Sequence, residues 1–197
     1  MKKIVGIDMD EVLAETVQSA LEHNGFKIAG RTLYKEEITS YKISDMEKFK
    51  DLNQEIVDFF HNFLQHENSY NIKPVDGSYE KLVYLKNNNY KLHVITARQE
   101  SLKNSTYKWI EKNFPGLIDD VHFTNHFTKN SKPKSEVCKR IGTDFMFEDN
   151  FEYAKEIVEN ANIKIFLLTK NWNINEKINI KKIHRLNSWN DFNLKLI

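Results

Sequence analysis

The chain has 197 residues, of which 40% are hydrophobic, 12% aromatic and 29% charged, and its formal net charge at pH 7 is +1. This length fits one domain with at most a modest insertion, and the composition excludes a disordered, charge-dominated chain and argues against a nucleic acid polymer held by bulk positive charge. No stretch approaches the roughly 18 apolar residues that span a bilayer, so we expect a cytoplasmic globular protein; its oligomeric state is left open.

Short apolar runs predict the strands of a buried sheet, and the first run ends directly in acids. In chain order the predicted strands are 4–7, 92–96, 121–124, 145–147, 163–168 and, more weakly, 183–186. Helical spacing of apolar residues predicts helices at 79–85, 101–114, 133–141, 152–161 and 188–194. Alternating strands and helices imply right-handed crossovers, and therefore a Rossmann-like α/β fold with a three-layer parallel sheet.

The segment between the first two strands breaks this rhythm, because it has helical spacing and no convincing buried strand. An unstructured loop of that length is uncommon in a compact domain. We therefore expect a helical cap at 14–73, inserted after strand one into a core formed by 1–13 and 74–197.

Polar groups that suit phosphate chemistry follow the predicted strands or open a helix. Because the carboxyl ends of parallel strands line the ligand crevice of an open α/β sheet, we expect these groups to meet there. They are Asp8, Asp10, Thr96, Lys134, Glu148 and Asp149. Each alone has an ordinary explanation, such as a turn, a helix cap or a surface lysine.

Together these groups match metal-assisted phosphoryl transfer. That reaction needs a nucleophile, a cation across the phosphoryl oxygens and a proton donor for the leaving group. An oxygen-rich cluster of carboxylates prefers Mg²⁺, and a lysine and a threonine hydroxyl can bind the remaining phosphoryl oxygens.

The motifs resemble those of the haloacid dehalogenase-like (HAD) superfamily of phosphohydrolases, and within it the 5′(3′)-deoxyribonucleotidase family and its bacterial relatives. The matching segments are Ile7-Asp-Met-Asp-Glu-Val-Leu-Ala14, Pro74-Val-Asp-Gly77, His93-Val-Ile-Thr-Ala-Arg98, Lys134-Ser-Glu-Val-Cys138 and Phe147-Glu-Asp-Asn150. The resemblance covers nearly the whole chain.

This resemblance implies a mechanism with an aspartyl-phosphate intermediate. Asp8 would be the nucleophile, and Asp10 would protonate the leaving group and then activate water. Thr96 and Lys134 would bind the phosphoryl group. The Mg²⁺ ligands would be Asp8, the backbone carbonyl of Asp10, and Asp149, with Glu148 adjacent.

The sequence departs from the family pattern at three places. Glu11 stands where many relatives carry glycine, and Glu148 stands where an aspartate pair is common. The characterised deoxyribonucleotidases surround the base with cap aromatics that include tryptophan, but all three tryptophans here lie outside the predicted cap. The cap aromatics that could replace them are Phe26, Tyr34, Tyr41 and Phe49.

Three other side chains have open or ordinary interpretations. Arg98 is a candidate substrate contact, with a surface ion pair as the alternative. His122 and His126 are four residues apart, but we interpret them as a strand residue and a loop residue rather than as a shared metal face.

Three hypotheses for function follow. The first is a Mg²⁺-dependent phosphatase whose partner is a (deoxy)nucleoside monophosphate. The second keeps this chemistry but changes the substrate to a sugar phosphate or another small metabolite, because the cap lacks tryptophans. The third is a non-catalytic phosphate-responsive module, which the Asp8-x-Asp10 pair and the large cap fit poorly.

Overall fold

A six-stranded parallel sheet forms the centre of the molecule in the computed structural model, which describes residues 3–126 and 128–197. Met1 and Lys2, the first residues of the predicted core, lie outside the described part. The strands are β1 (Ile4–Ile7), β4 (Lys91–Thr96), β5 (Asp120–Phe123), β6 (Thr143–Glu148), β7 (Lys164–Leu168) and β8 (Ile183–Leu186). Their order is β5-β4-β1-β6-β7-β8, which places β1 between β4 and β6.

Helices cover both faces of this sheet. They are α3 (Ser78–Asn87), α4 (Lys103–Asn113), α5 (Lys134–Ile141) and α6 (Phe151–Ala161). Apolar residues of α3 and α4 share a buried cluster with β1 and one face of β4 and β6, whereas those of α5 and α6 pack against Ile95 and Met146 on the opposite face. Burial on both faces explains why the strands read as short continuous apolar runs. The predicted α/β three-layer fold is confirmed.

The predicted helix at 188–194 is wrong. The chain instead forms two three-residue 3-10 turns, Trp189–Asp191 and Leu194–Leu196. Trp189 and Phe192 are both fully buried, and the Phe192 carbonyl accepts a hydrogen bond from the Lys81 ammonium at 2.8 Å. The side-chain packing and this contact fix an irregular path that apolar spacing alone does not reveal.

The segment expected to form a cap is less helical than predicted. It contains α1 (Thr16–His23), a small hairpin of β2 (Lys27–Ile28) and β3 (Arg31–Thr32), several 3-10 turns, and α2 (Asn53–Gln65). Positive φ angles occur at Gly25, Phe26, Ala29 and Gly30. This left-handed conformation prevents the helix from continuing after α1.

Part of the same segment forms a buried cluster of its own, whereas Ala20, Phe63, Leu64 and Ile72 of the segment belong to the sheet cluster that includes β1. The buried members of the segment's own cluster are Leu21, Ile28, Leu33, Ile38, Ile43, Phe49 and Ile56. This cluster supports the division into core and cap, which stays a prediction. Over the described ranges, no helix is both long and apolar enough to cross a membrane.

Candidate active site

Asp8 directly follows β1 and belongs to a buried ion-pair network. The Lys134 ammonium lies 2.8 Å from Oδ1 of Asp8 and 2.7 Å from Oε2 of Glu148. Lys134 stands at the first position of α5, and Glu148 is the last residue of β6. Since β6 adjoins β1, two strand ends and one helix start meet here. The alternative of a surface lysine is wrong, because the Lys134 side chain is only 3% exposed.

The excess of buried carboxylates changes the ionisation of this network. Burial, followed by the charge of Glu148, raises the pKa of Asp8 to about 7, although Lys134 acts in the opposite direction. Burial and the charges of Glu148 and Asp8 also raise the pKa of Asp149 well above its usual value. Burial lowers the pKa of Lys134, but the two carboxylates outweigh it and the net pKa rises. The lysine is therefore a permanent cation.

Asp10 is held by an arginine from the end of β4. The Arg98 guanidinium makes a bidentate contact, with Nε 3.0 Å from Oδ2 and Nη2 2.6 Å from Oδ1, and the Thr16 hydroxyl also donates to Oδ1. Burial raises the pKa of Asp10, but the charge and hydrogen bonds of Arg98 and the bond from Thr16 lower it overall.

Arg98 itself is buried rather than on the surface. Its side chain is 4% exposed, and Nη1 donates to the hydroxyl of Thr106 at 3.1 Å. The alternative of a surface ion pair is therefore wrong, since the ion pair is internal and its partner is a predicted site residue. Arg98 also lines the cavity described below, and contact with substrate stays a prediction.

Thr96 ends β4 and is fully buried. Its hydroxyl oxygen accepts a hydrogen bond from the backbone N–H of Arg98 at 3.2 Å, and its carbonyl accepts bonds from the N–H and hydroxyl of Thr124. The hydroxyl hydrogen of Thr96 is a donor that this bond from Arg98 does not use.

Asp149 follows β6 and is fixed by the loop after β7. The Trp172 indole N–H donates to Oδ2 of Asp149 at 2.9 Å. The amide of Asn173 donates to the carbonyls of Asp149 and Leu168 at 2.7 and 2.8 Å, which ties the ends of β6 and β7 together.

Glu11 has a backbone φ of 61°, in the left-handed region that glycine favours, at the place where many relatives carry glycine. Its carboxylate compensates for this conformation. Oε1 accepts from the backbone N–H of Val17 at 2.7 Å, and Oε2 lies 2.9 Å from the ammonium of Lys35.

A cavity of about 230 Å³ is lined by some of these groups, whereas Thr96, Lys134 and Glu148 are not part of its lining. Among the predicted site residues, its lining includes Asp8, Asp10, Arg98 and Asp149. Its apolar wall comes from the predicted cap and includes Ile38, Tyr41, Ile43, Ile56, Val57 and Phe60. Polar side chains of the lining outside the carboxylate centre include Ser44, Asn53, His61 and Gln99.

Of the four aromatics considered as substitutes for tryptophan, Tyr41 lines this cavity. The Tyr41 ring contacts the ring of Tyr153, with centroids 5.7 Å apart, although the residue is 40% exposed. Burial of its hydroxyl and then the charges of Tyr153, Asp149 and Asp8 raise the pKa of Tyr41 well above its usual value. Phe49 is buried in the cap cluster, and Phe26 packs against that cluster and contacts the ring of Tyr34.

The carboxylate centre fits a hard divalent cation. One oxygen each from Asp8, Glu148 and Asp149 lies within 4.8 Å of the others, and all three residues are buried. Lys134 balances only part of their negative charge. Because every donor is a carboxylate oxygen, the cluster has the ligand chemistry of a site for a hard metal ion.

Trp172 and Thr16 were missed by the sequence reasoning. Trp172 was discounted because it lies outside the predicted cap, yet it lines the cavity and packs against the cap cluster. A signal was present, since Trp172 follows the carboxyl end of β7, where crevice residues gather. Thr16 has no such signal, because its bond to Asp10 depends on the turn between β1 and α1.

The fold is shared with solved structures of HAD phosphohydrolases. An HAD hydrolase of family IA, variant 3, from Entamoeba histolytica has a TM-score of 0.60 at 17% identity, covering 99% of this chain and 96% of that chain. A haloacid dehalogenase-like family hydrolase from Streptococcus pneumoniae has a TM-score of 0.59 at 13% identity over 85% of each chain. CbbY from Rhodobacter sphaeroides, solved in complex with phosphate, has a TM-score of 0.58 at 13% identity over 97% and 96%.

These similarities show that the chain has the fold of HAD hydrolases, as the motifs indicated. The family model described as "5' nucleotidase, deoxy (Pyrimidine), cytosolic type C protein" matches residues 2–197. The chain belongs to this family of hydrolases that act on phosphoric monoesters. No curated protein sequence gives a significant match.

Proposed function

We propose that this protein is a Mg²⁺-dependent phosphatase that forms an aspartyl-phosphate on Asp8 and acts on (deoxy)nucleoside monophosphates in the cytoplasm. The observation that carries this proposal is the position of the Asp8 carboxylate. It lines the cavity, lies 2.8 Å from a buried ammonium, and belongs to a cluster of three carboxylates. The family description, which names a cytosolic deoxynucleotidase, agrees with it.

In this mechanism Asp8 attacks the phosphorus atom, and the leaving alkoxide departs as the aspartyl-phosphate forms. Lys134 balances charge on the phosphoryl oxygens, and the Thr96 hydroxyl donates a hydrogen bond to one of them. Glu148 positions Lys134, because one of its oxygens contacts the ammonium while the other accepts from the N–H groups of Asp149 and Asn150.

Asp8, Asp149 and the backbone carbonyl of Asp10 would hold Mg²⁺, with Glu148 adjacent. When bound, the ion supplies positive charge to the phosphoryl oxygens and to the crowded carboxylates. Mg²⁺ prefers hard oxygen ligands, and the carboxylate groups supply such oxygens.

Asp10 supplies and then accepts a proton. Arg98 keeps the pKa of Asp10 low in the present arrangement. A low pKa suits the step in which Asp10 removes a proton from the attacking water. Protonation of the leaving group requires a higher pKa. An anionic phosphate beside Asp10 raises that pKa, so substrate binding itself prepares the acid step.

The wall of the cavity supports a nucleoside over a sugar phosphate. Isoleucine, valine and aromatic side chains of the cap offer a surface for a flat, weakly polar base, and Tyr41 can stack or bond its edge. A sugar phosphate presents hydroxyls that need a denser set of polar partners.

A panel of nucleoside monophosphates and sugar phosphates, assayed with and without Mg²⁺, tests this proposal. We expect phosphate release from at least one nucleotide, faster than from every sugar phosphate, and abolished by a chelator. Asp8→Asn should retain the fold and lose turnover. Release of phosphate by Asp8→Asn at the wild-type rate would contradict the covalent mechanism, and preference for a sugar phosphate would contradict the substrate.

A further inference from the structure

A second cluster of metal-binding side chains lies at the edge of the sheet, on residues that phosphate chemistry does not use. His93 is in β4, and Asp120 and His122 are in the edge strand β5. His93 is paired in register with Asp120, and His122 is two residues further along the same strand. Because side chains alternate along a strand, all three project from one face of the sheet.

The three side chains are close enough to share one ion. Nδ1 of His93 lies 3.0 Å from Nε2 of His122, which lies 3.6 Å from Oδ2 of Asp120. One ligand atom from each residue falls within 4.8 Å of the others. Two nitrogens bound to a tetrahedral ion at 2.0–2.1 Å stand about 3.3 Å apart, so the present separations need only small adjustment.

The histidines are in the chemical state that metal binding requires. Burial lowers the pKa of both His93 and His122, although Asp120 acts in the opposite direction, so the imidazoles are neutral at pH 7. Their ring planes are nearly parallel, with an interplanar angle of 14°, and the facing nitrogens share one hydrogen. Metal binding replaces this hydrogen bond. The shared hydrogen moves to the other nitrogen of its own ring, and a ring rotation turns both lone pairs toward the ion.

We propose that His93, Asp120 and His122 form a site for a transition-metal ion of the Zn²⁺ class. Two imidazole nitrogens and one carboxylate suit zinc, whereas Mg²⁺ prefers oxygen donors alone. The Asp120 side chain is 52% exposed, which provides an entry path and leaves room for a water as the fourth ligand. A bound ion joins β4 to the edge strand. The positive charge of Lys91 lowers the pKa of His93, and that of Arg140 lowers the pKa of His122. The same charges repel a bound cation and therefore reduce its affinity.

Zinc titration of the full-length protein against a chromogenic chelator, in excess Mg²⁺, tests this site. We expect one Zn²⁺ per chain. Loss of an outer-shell partner alone typically costs 10–100-fold in affinity, so His93→Gln and His122→Gln should each weaken binding at least about tenfold. His184→Gln, in the opposite edge strand β8, is the matched control and should bind like the wild type.

A variant with Asp8→Asn and Asp149→Asn distinguishes the two centres, and it should still bind Zn²⁺. Added zinc should also raise the thermal unfolding midpoint of the wild type and of His184→Gln, but not that of His122→Gln. Asp120→Asn, at an exposed position, gives the same test if a histidine variant folds poorly. The proposal is overturned if no zinc binds, if both histidine variants bind normally, or if binding disappears with the Asp8 and Asp149 changes.

Discussion

Glu11 combines an unfavourable backbone conformation with favourable side-chain contacts. A left-handed φ costs a non-glycine residue about 1 kcal/mol or more, and here φ is 61°. The contacts with the N–H of Val17 and the ammonium of Lys35 offset this cost and link the turn after β1 to the cap. Glutamate at position 11 therefore strains the backbone locally but adds side-chain contacts that glycine could not make.

Two substitutions separate these effects. Glu11→Ala removes the contacts and keeps the strain, whereas Glu11→Gly removes both. We expect the glycine variant to be more stable than the alanine variant by about 1 kcal/mol. Urea unfolding of the two variants measures the difference. Equal stability, or a more stable alanine variant, would show that position 11 is not strained.

Trp172 is an uncharged residue that contacts the carboxylate of Asp149. Its indole N–H donates to the carboxylate at 2.9 Å, and its ring packs against the cap cluster. Such a partner orients a metal ligand and tunes its basicity. We interpret Trp172 as a positioning residue for the proposed Mg²⁺ site.

Trp172→Phe keeps a ring and removes the N–H. We expect about a tenfold increase in the Mg²⁺ concentration for half-maximal activity, with a smaller change in kcat at saturating Mg²⁺. Trp189→Phe is the matched control, because that indole donates to the carbonyl of Val12 rather than to a carboxylate. A Trp172→Phe enzyme with unchanged Mg²⁺ dependence would rule out the positioning role.

At the scale of elements, Asp119 joins helix α3 to strands β4 and β5. Its carboxylate accepts from the Lys86 ammonium at 3.0 and 2.9 Å and from the backbone N–H of Leu92 at 2.7 Å. Burial raises the pKa of Asp119, but the bonds from Lys86 and Leu92 outweigh it, and the net pKa is lowered. The carboxylate therefore stabilises the fold when ionised.

The sign of the pH dependence follows from the lowered pKa. The stabilisation is complete above the unfolded pKa, about 3.9, and is lost as the pH falls toward the lower folded value. Asp119→Asn should cost about 1–2 kcal/mol at pH 7, and the difference from wild type should shrink between pH 5 and pH 3. Denaturant unfolding across this range measures it, with the exposed Asp58→Asn as control. A difference that is constant with pH would mean that the charge of Asp119 contributes nothing.

At the scale of the whole molecule, the buried clusters only partly separate the predicted cap from the sheet. The third cluster is confined to the predicted cap apart from contact with Trp172, whereas the sheet cluster that includes β1 also contains Ala20, Phe63, Leu64 and Ile72 of the predicted cap. If the cap is a separate cooperative unit, it should open without the sheet.

Hydrogen exchange in matched phenylalanine variants tests this division. Phe49 and Phe145 are both fully buried, the first in the cap cluster and the second in the sheet. Phe49→Ala should speed exchange in the cap and leave β1 and β6 protected, whereas Phe145→Ala should speed exchange throughout. Equal loss of protection in both regions for Phe49→Ala would show that cap and core unfold together.

Much of the fold could be predicted from local pattern. All six sheet strands were found, with bounds within about two residues, because a strand buried on both faces leaves a short apolar run in the sequence. The helix predicted at 188–194 failed because Trp189 and Phe192 are held by packing and by contact with a distant lysine.

The sequence by itself determined the class of fold and the position of Asp8 and Asp149 at the carboxyl ends of the parallel strands, where acids that directly follow such strands gather. Only the tertiary structure decided which of these groups touch. The pairing of Asp10 with Arg98, the bond from Trp172 to Asp149, and the contact of His93 with His122 each join residues far apart in the chain. Such contacts depend on strand order and on the path of loops, which no local pattern encodes.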